Sequence, residues 1–234
     1  VDDNARALLL SCALGADEPR VPETLTTCFA AFIQHAWNPD TRRFRNFMSY
    51  ERKWLEDVGS EDSHGRTLWA LAQCSIADTD PSRRSWAANL FKTALPPVER
   101  FSSPRAWAFA LLAINASGNP AGLDETTKRL RELLADRLLS LLASNKQGDW
   151  HWFENVLSYD NARLPQALIV TGLATGSRAY TDAGLRSLRW LMIRQTASSG
   201  CFRPVGSESF GKVHQAPAKF DQQPVEATAT IAAC

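Results

Sequence analysis

Acidic and amide side chains recur at the start of apolar helical runs in this chain. The segment Asp2–Arg6 (Asp-Asp-Asn-Ala-Arg) is echoed by Asp160–Arg163 (Asp-Asn-Ala-Arg), and each copy precedes a long apolar run with helical period. Repetition of this kind indicates one structural unit used more than once. If the units stack, equivalent carboxylates lie at the same end, where pairs of them could act as acid and base.

Six carboxylates lie at or near these predicted helix starts. They are Asp3, Glu61, Asp62, Glu154, Asp160 and Asp221. Hydrolysis of a glycosidic bond requires two carboxyl groups, about 6.5–9.5 Å apart for inversion and about 5–5.5 Å apart for retention. We expect Asp62 and Asp160 to act as acid and base, because each is flanked by polar residues that helix capping does not require. Glu154 follows an aromatic run, a neighbourhood that suits a general acid, although an ordinary loop glutamate is equally consistent.

Side chains that suit a sugar ligand accompany the carboxylates. The candidates for substrate binding are Trp54, His64, Arg66, Trp150, Trp152, Asn161, Arg163, Gln222 and Gln223. Amides and arginines bind hydroxyl groups, and aromatic faces pack against the apolar side of a pyranose ring. The sequence predicts that these residues and the carboxylates line one pocket.

Helix capping is the competing explanation for each carboxylate taken alone. Helix N-termini favour acidic side chains, which bind free backbone N–H groups and interact with the helix dipole. A single histidine at a helix start, such as His64, is more often structural. Arg66 and Arg163 are expected to pair with neighbouring acidic residues. The set as a whole carries more donors and acceptors than capping needs.

Apolar residues follow a helical period throughout, and no segment alternates like a strand. The pattern predicts nine helices, over residues 2–14, 22–36, 63–77, 81–95, 103–117, 123–145, 159–175, 180–195 and 221–234. The first, third, fifth, seventh and ninth are poor in charge after the first turn, and the others are amphipathic. A charge-poor helix is buried on most sides, whereas an amphipathic helix has a solvated face. We therefore expect an inner and an outer layer of helices within one domain, residues 1–234.

Three motifs make this chain resemble bacterial six-hairpin, glycosidase-like proteins, which are often described as glycosyltransferase-associated and occur beside mannoside-processing genes. The motifs are residues 60–66 (SEDSHGR), 159–168 (YDNARLPQAL) and 220–227 (FDQQPVEA). The resemblance implies an all-α (α/α)6 toroid that acts on carbohydrate, with a possible glycosyltransferase partner. It supplies no catalytic assignment. A closed ring would need about one more hairpin, so we expect the natural polypeptide to continue past Cys234.

Composition narrows the classes of function. A net charge of +1 gives no general attraction to nucleic acid or to anionic membrane. No apolar stretch approaches the roughly 20 residues that span a bilayer. The five cysteines are odd in number and widely spaced, which favours reduced thiols in the cytoplasm. No cluster has metal-ligand spacing, and no phosphate loop or other cofactor motif is present, so we expect neither metal nor cofactor.

The sequence thus predicts a carbohydrate-active protein, and most simply a glycoside hydrolase with paired carboxylates at the mouth of the toroid. One alternative is a carbohydrate-binding or accessory module with the same cleft and no competent acid–base pair. A second alternative is a sugar epimerase or isomerase, which would use histidines as acid and base. The chain has only four histidines, so this alternative ranks last.

Overall fold

The computed structural model describes residues 1–15, 21–116 and 123–234. Most of these residues are helical, which confirms the all-α class. The chain divides into two compact units, Val1–Leu130 and Arg131–Cys234. The only strands within the described ranges are a short antiparallel pair in the first unit, Trp37–Asn38 and Arg43–Phe44. No described helix combines the length and apolarity that a membrane span requires.

The helices lie close to their predicted positions. In chain order they are α1 (Asp2–Leu14), α2 (Glu23–Ala36), α3 (Glu61–Ala77), α4 (Pro81–Ala94), α5 (Pro104–Ala116), α6 (Glu125–Ser144), α7 (Arg163–Thr175), α8 (Arg178–Arg194) and α9 (Pro224–Ala233). Short 3₁₀ turns occupy Pro96–Arg100 and Ser207–Ser209. The predicted end of the fifth helix at residue 117 and the loop after it lie outside the described residues.

Five predicted helix starts, those of α3, α6, α7, α8 and α9, are wrong by two to four residues. Helix α3 begins at Glu61, and its N-cap is Ser60, whose hydroxyl accepts the backbone N–H of Ser63 at 3.1 Å. Helices α7 and α9 begin three or four residues later than predicted. The cause is backbone geometry: Asp160 has φ 53° and Asp221 has φ 57°, so both lie in left-handed turns that precede the helices.

In the first unit, α3 is the central helix and packs against α1, α4 and α5. Ten of its seventeen residues are buried, as are ten of the thirteen residues of α5. Gly65 allows these two helices to approach, because a Cβ at that position would lie 2.9 Å from the backbone oxygen of Ala106. The first turns of α3 and the residues just before α5 are thereby held close together.

In the second unit, α7 packs against α8 and α9. Gly176 ends α7 in a left-handed conformation (φ 73°), and α8 begins two residues later, at Arg178. A two-residue connection between packed helices makes them antiparallel neighbours. The start of α7 and the end of α8 therefore lie at the same end of the hairpin.

Burial follows the predicted alternation only in the middle of the chain. Seven of the thirteen residues of α7 are buried, compared with five of the twenty residues of α6. The charge-poor helix α1, however, is no more buried than the amphipathic α2, with four buried residues in each. Leu10 on α1 and Ile231 on α9 are more than half exposed. Low charge thus marks burial for α3, α5 and α7 but not for α1.

Candidate functional site

The strongest candidate site lies in the second unit, at the end where α7 begins and α8 terminates. Residues 145–162 lead into α7, residues 195–223 connect α8 to α9, and α9 packs against α7. Backbone bonds join the two connections: the N–H of Gly211 donates to Leu157 O at 2.9 Å, and that of His214 to Asn155 O at 2.8 Å. This end carries a buried pair of carboxyl groups and an open cleft.

The buried pair is Asp160 and Glu226. Asp160 is 1% exposed and Glu226 is fully buried. The backbone N–H of Asp160 donates to Oε1 of Glu226. Asn161 donates from its side-chain Nδ2 to Oε2 of Glu226 at 2.8 Å. Glu226 therefore holds the left-handed turn that precedes α7, and it brings a second carboxyl group beside Asp160.

Glu226 is poised to titrate near neutral pH. Burial raises the pKa of its carboxyl group to about 7, and the neighbouring charge of Asp160 also raises it, whereas the hydrogen bonds from Asn161 lower it. A carboxyl group with a pKa near the working pH can both donate and accept a proton. The sequence-based assignment missed Glu226, although it belongs to the 220–227 motif. The sequence feature that could have identified Glu226 is that it is the lone acidic residue in an otherwise uncharged helix.

Arginine pairing occurs as the sequence predicts. Nε of Arg163 lies 3.5 Å from Oδ1 of Asp160, and Nη1 of Arg163 donates to Oε1 of Gln166 at 2.7 Å. Gln166 in turn donates to the backbone oxygen of Ala232 at 2.9 Å. The acidic turn is thus tied to the first turn of α7 and to the end of α9.

An open cleft of about 490 Å³ lies at the same end of the unit. Its lining residues are Gln147, Asp149, Trp150, Arg194, His214, Gln215, Ala216 and Pro217. Asp149 is the single carboxylate among them. Its side chain is 95% exposed and lies 3.1 Å from Nη2 of Arg194. Amides, one carboxylate, an arginine and an aromatic ring form the mixture that a sugar requires.

The predicted aromatic residues at this end are mostly part of the core. Trp150 is 4% exposed and donates from its indole nitrogen to the backbone oxygen of Glu154 at 2.7 Å. Trp152 is fully buried and stacks on Trp190, with ring centroids 5.6 Å apart. Trp152 therefore has no open ring face for a ligand, whereas Trp150 is one of the residues that line the cleft. Glu154 is half-buried beside them.

The turn before α9 is exposed. The hydroxyl of Ser207 donates to Asp221, and the backbone N–H of Ser207 donates to Asp221 O at 2.9 Å. Gln222 donates to the backbone oxygen of Lys219 at 3.0 Å. Gln223 is the N-cap of α9 but forms no side-chain cap bond. These side chains shape the loop, and Asp221 does not cap α9.

In the first unit, the acidic residues of α3 bind the segment that leads into α5. Oε2 of Glu61 accepts the backbone N–H groups of Ser102 at 2.8 Å and Ser103 at 2.7 Å. The hydroxyl of Ser103 donates to Asp62. Glu61 thus caps the segment that leads into α5, and Asp62 accepts the hydroxyl of Ser103 in the same segment. Asp3 is exposed on the first turn of α1.

His64 is held by the backbone on both sides of its ring. It is fully buried, with Nε2 2.9 Å from Ala94 O, and its Nδ1 accepts the N–H of Phe44 at 3.4 Å. Burial lowers the pKa of His64 to about 3, although the bond to Ala94 partly opposes this, and nearby Arg43 lowers it further. His64 is therefore a neutral structural residue that donates from Nε2.

The remaining candidates in the first unit also have partners. Nε of Arg66 donates to Oδ1 of Asp2 at 2.6 Å, and its guanidinium lies 4.2 Å from the ring centroid of Phe109. The two arginines Arg66 and Arg6 hold the pKa of Asp2 below its usual range although burial opposes them. Trp54 is half-buried, with its ring 5.3 Å from that of His35.

One group of described residues has the spacing to hold a metal ion. Ligand atoms of Cys12, Cys74 and Asp78 lie within 4.8 Å of one another, and all three residues are buried. However, Arg83 binds Asp78 through Nε at 2.7 Å and through Nη2 at 2.8 Å. A guanidinium in that position occupies the carboxylate and repels a cation, so the group is better described as a buried ion pair beside two thiols.

Asp62 and Asp160, the pair favoured by the sequence, belong to different units. A common pocket that includes both stays a prediction. Within the second unit, the structure brings Asp160, Asn161 and Arg163 together with the unexpected Glu226. No protein-family model matches the sequence, and no curated protein matches it significantly.

Proposed function

We propose that this chain is a carbohydrate-binding part of an (α/α)6 toroid, with its sugar site in the cleft at the start of α7. The observation that carries the proposal is the composition of that open cleft, which Asp149, Arg194 and the amides of Gln147 and Gln215 line together with Trp150. Such groups bind sugar hydroxyls in both donor and acceptor roles. A volume of about 490 Å³ suits a ligand of one or two rings.

Binding without hydrolysis is favoured by the distribution of the carboxylates. The open cleft contains one carboxylate, Asp149, whereas hydrolysis needs two across the scissile bond. Glu61 and Asp62 are engaged by the residues that precede α5. This supports the accessory module of the sequence analysis, working with a glycosyltransferase or another sugar-processing partner.

Glycoside hydrolysis is the second candidate, and Glu226 favours it. A carboxylic acid with a pKa of about 7 can protonate the leaving oxygen of a glycosidic bond at neutral pH. Asp160, beside it, would then take the proton of the attacking water. Because both side chains are buried, this reaction requires the turn at Asp160 to open. His64 does not support the epimerase alternative, because both of its ring nitrogens are hydrogen-bonded to the backbone.

A glycan array read for binding, followed by product analysis on every sugar that binds, tests both candidates. Asp149→Asn should weaken sugar binding by about tenfold, because the amide loses the charge-assisted bonds of the carboxylate. Asp182→Asn is the matched control, since Asp182 is an exposed aspartate of the same unit outside the cleft. Equal binding by the two variants would contradict a sugar site in this cleft.

Glu226→Gln separates binding from hydrolysis. The amide keeps an oxygen for the backbone N–H of Asp160 but cannot donate a proton as an acid does. If the chain hydrolyses a glycoside, this variant should lose turnover and keep sugar binding. If no sugar that binds is ever cleaved by the wild-type protein, the hydrolase candidate is excluded and the binding role stands.

A further inference from the structure

A second cavity in the Arg131–Cys234 unit has a different chemistry from the sugar cleft. It is a groove of about 480 Å³ between the C-terminal half of α6 and α8. Leu139 and Leu142 line it on one side, and Trp190 and Ile193 on the other. Ile193 is 72% exposed, so its apolar side chain is accessible to a ligand in the groove. The floor of the groove therefore suits an apolar ligand body.

The charged residues of the groove have one sign. Lys146, Arg186 and Arg189 line it, all three are exposed, and no carboxylate is among the lining residues. In the described part of the chain, none of the three forms an ion pair. Asp182 lies one turn before Arg186 on α8 but is not paired with it. Three cations without counter-charges beside an apolar floor attract an anion.

A buried hydroxyl at the groove supplies an independent observation. Ser187 is 1% exposed, lines the groove, and its Oγ has no hydrogen-bond partner among the described residues. A buried hydroxyl without a partner destabilises the fold, so such groups usually bind something. A ligand oxygen in the groove would satisfy it. Ser187 lies between the two arginines on α8 and so marks where the anionic group would bind.

We propose that the groove between α6 and α8 binds a small anionic amphiphile, whose apolar body packs on Leu139, Leu142 and Ile193 and whose phosphate or carboxylate group contacts Arg186, Arg189 and Ser187. The volume of the groove is that of a site for a single small molecule. The occupant is therefore a free amphiphile and not a bilayer surface. The site is separate from the sugar cleft and does not depend on the proposed function.

Isothermal titration calorimetry of the protein with monomeric dodecyl phosphate tests the proposal. Dodecanol and inorganic phosphate serve as probes of the apolar body and of the anion alone, and each should bind at least about tenfold more weakly than the complete amphiphile. The double variant Arg186→Gln/Arg189→Gln should weaken binding of dodecyl phosphate by about tenfold or more. Ser187→Ala should weaken it by a smaller factor.

Arg178→Gln/Arg137→Gln is the matched control, since it removes two arginines of the same helices that do not line the groove. Equal loss of affinity in the control and the test variant would overturn the proposal, because binding would then reflect overall charge. Dodecanol that binds as tightly as dodecyl phosphate would overturn the anion site. Sedimentation with anionic phospholipid vesicles, without binding of the monomer, would show a membrane surface to be the ligand instead.

Discussion

The entrances of α3 and α7 each carry an acidic residue followed by an arginine, but they reach different arrangements. At α3, Glu61 and Asp62 lie within the first helical turn and bind the segment before α5. At α7, Asp160 lies outside the helix in a left-handed turn, where Glu226 binds its backbone. An acidic residue followed within about one turn by an arginine thus accompanies a cap for a neighbouring helix in one place and a buried carboxyl pair in the other.

The buried titratable group at each entrance shows the same difference. His64 at α3 has a backbone acceptor on one ring nitrogen and a backbone donor on the other, and its pKa falls to about 3. Glu226 at α7 lies beside a second carboxyl group, and its pKa rises to about 7. His64 is therefore neutral at neutral pH, whereas Glu226 changes charge there. Burial is the largest cause of both shifts: it raises the pKa of the carboxyl group toward neutral pH and lowers the pKa of the imidazole away from it.

The largest expected effect concerns His64 and acid stability. The folded-state pKa of about 3 lies below the ordinary value of 6.5, so the unfolded chain binds more protons between these values. The contribution of His64 to stability is full above pH 6.5 and falls as the pH falls toward 3, by an amount on the order of 5 kcal/mol. His64→Gln should remove this part of the pH dependence. Urea unfolding at several pH values between 4 and 7 measures it.

His35→Gln is the control for that series, because His35 is an exposed histidine of the same unit. Its replacement should leave the pH dependence of the unfolding free energy unchanged. If His64→Gln retains the wild-type slope, the buried histidine is not neutral in the folded state and the contrast with Glu226 fails.

Local sequence was enough to predict most helix bounds, because apolar period, proline and glycine act over a few residues. Pro81 and Pro104 begin α4 and α5, and Gly176 follows the end of α7. The left-handed conformations of Asp160 and Asp221 were not predictable in this way, since aspartate adopts positive φ only where its surroundings hold it there. The turns therefore appeared as helix in the prediction.

The site was less predictable than the fold because its contacts are distant in sequence. Glu226 reaches a turn 66 residues before it, and Glu61 binds a segment 41 and 42 residues after it. Nothing in the local pattern distinguishes a glutamate that caps a helix elsewhere in the chain from one that faces a ligand. The residue types were therefore identified more reliably than their roles.

Glu226 should change the pH dependence of the unfolding free energy less than His64 does, and in the opposite direction. Its folded-state pKa of about 7 lies above the ordinary 4.5, so the folded protein binds the extra proton between these values. The contribution to stability is full below pH 4.5 and is lost as the pH rises through 7, by about 3 kcal/mol. The difference in unfolding free energy between wild type and Glu226→Gln should follow this curve. A difference that is constant between pH 4.5 and 7.5 would show that Glu226 is ionised throughout and would remove the basis for its role as an acid.

The smallest effect concerns Glu61, and it tests the structural role of the α3 entrance. Glu61→Ala removes the acceptor for the backbone N–H groups of Ser102 and Ser103, which are the free donors before α5. Loss of such a cap costs about 1 kcal/mol, and sugar binding in the second unit should not change. Asp3→Ala, on the exposed first turn of α1, should alter stability by less than about 0.5 kcal/mol.

Thermal unfolding of both variants, together with the glycan array, decides between capping and ligand contact. A Glu61→Ala variant that keeps its stability but loses sugar binding would show that the α3 entrance belongs to the binding site, and the two entrances would then be equivalent after all.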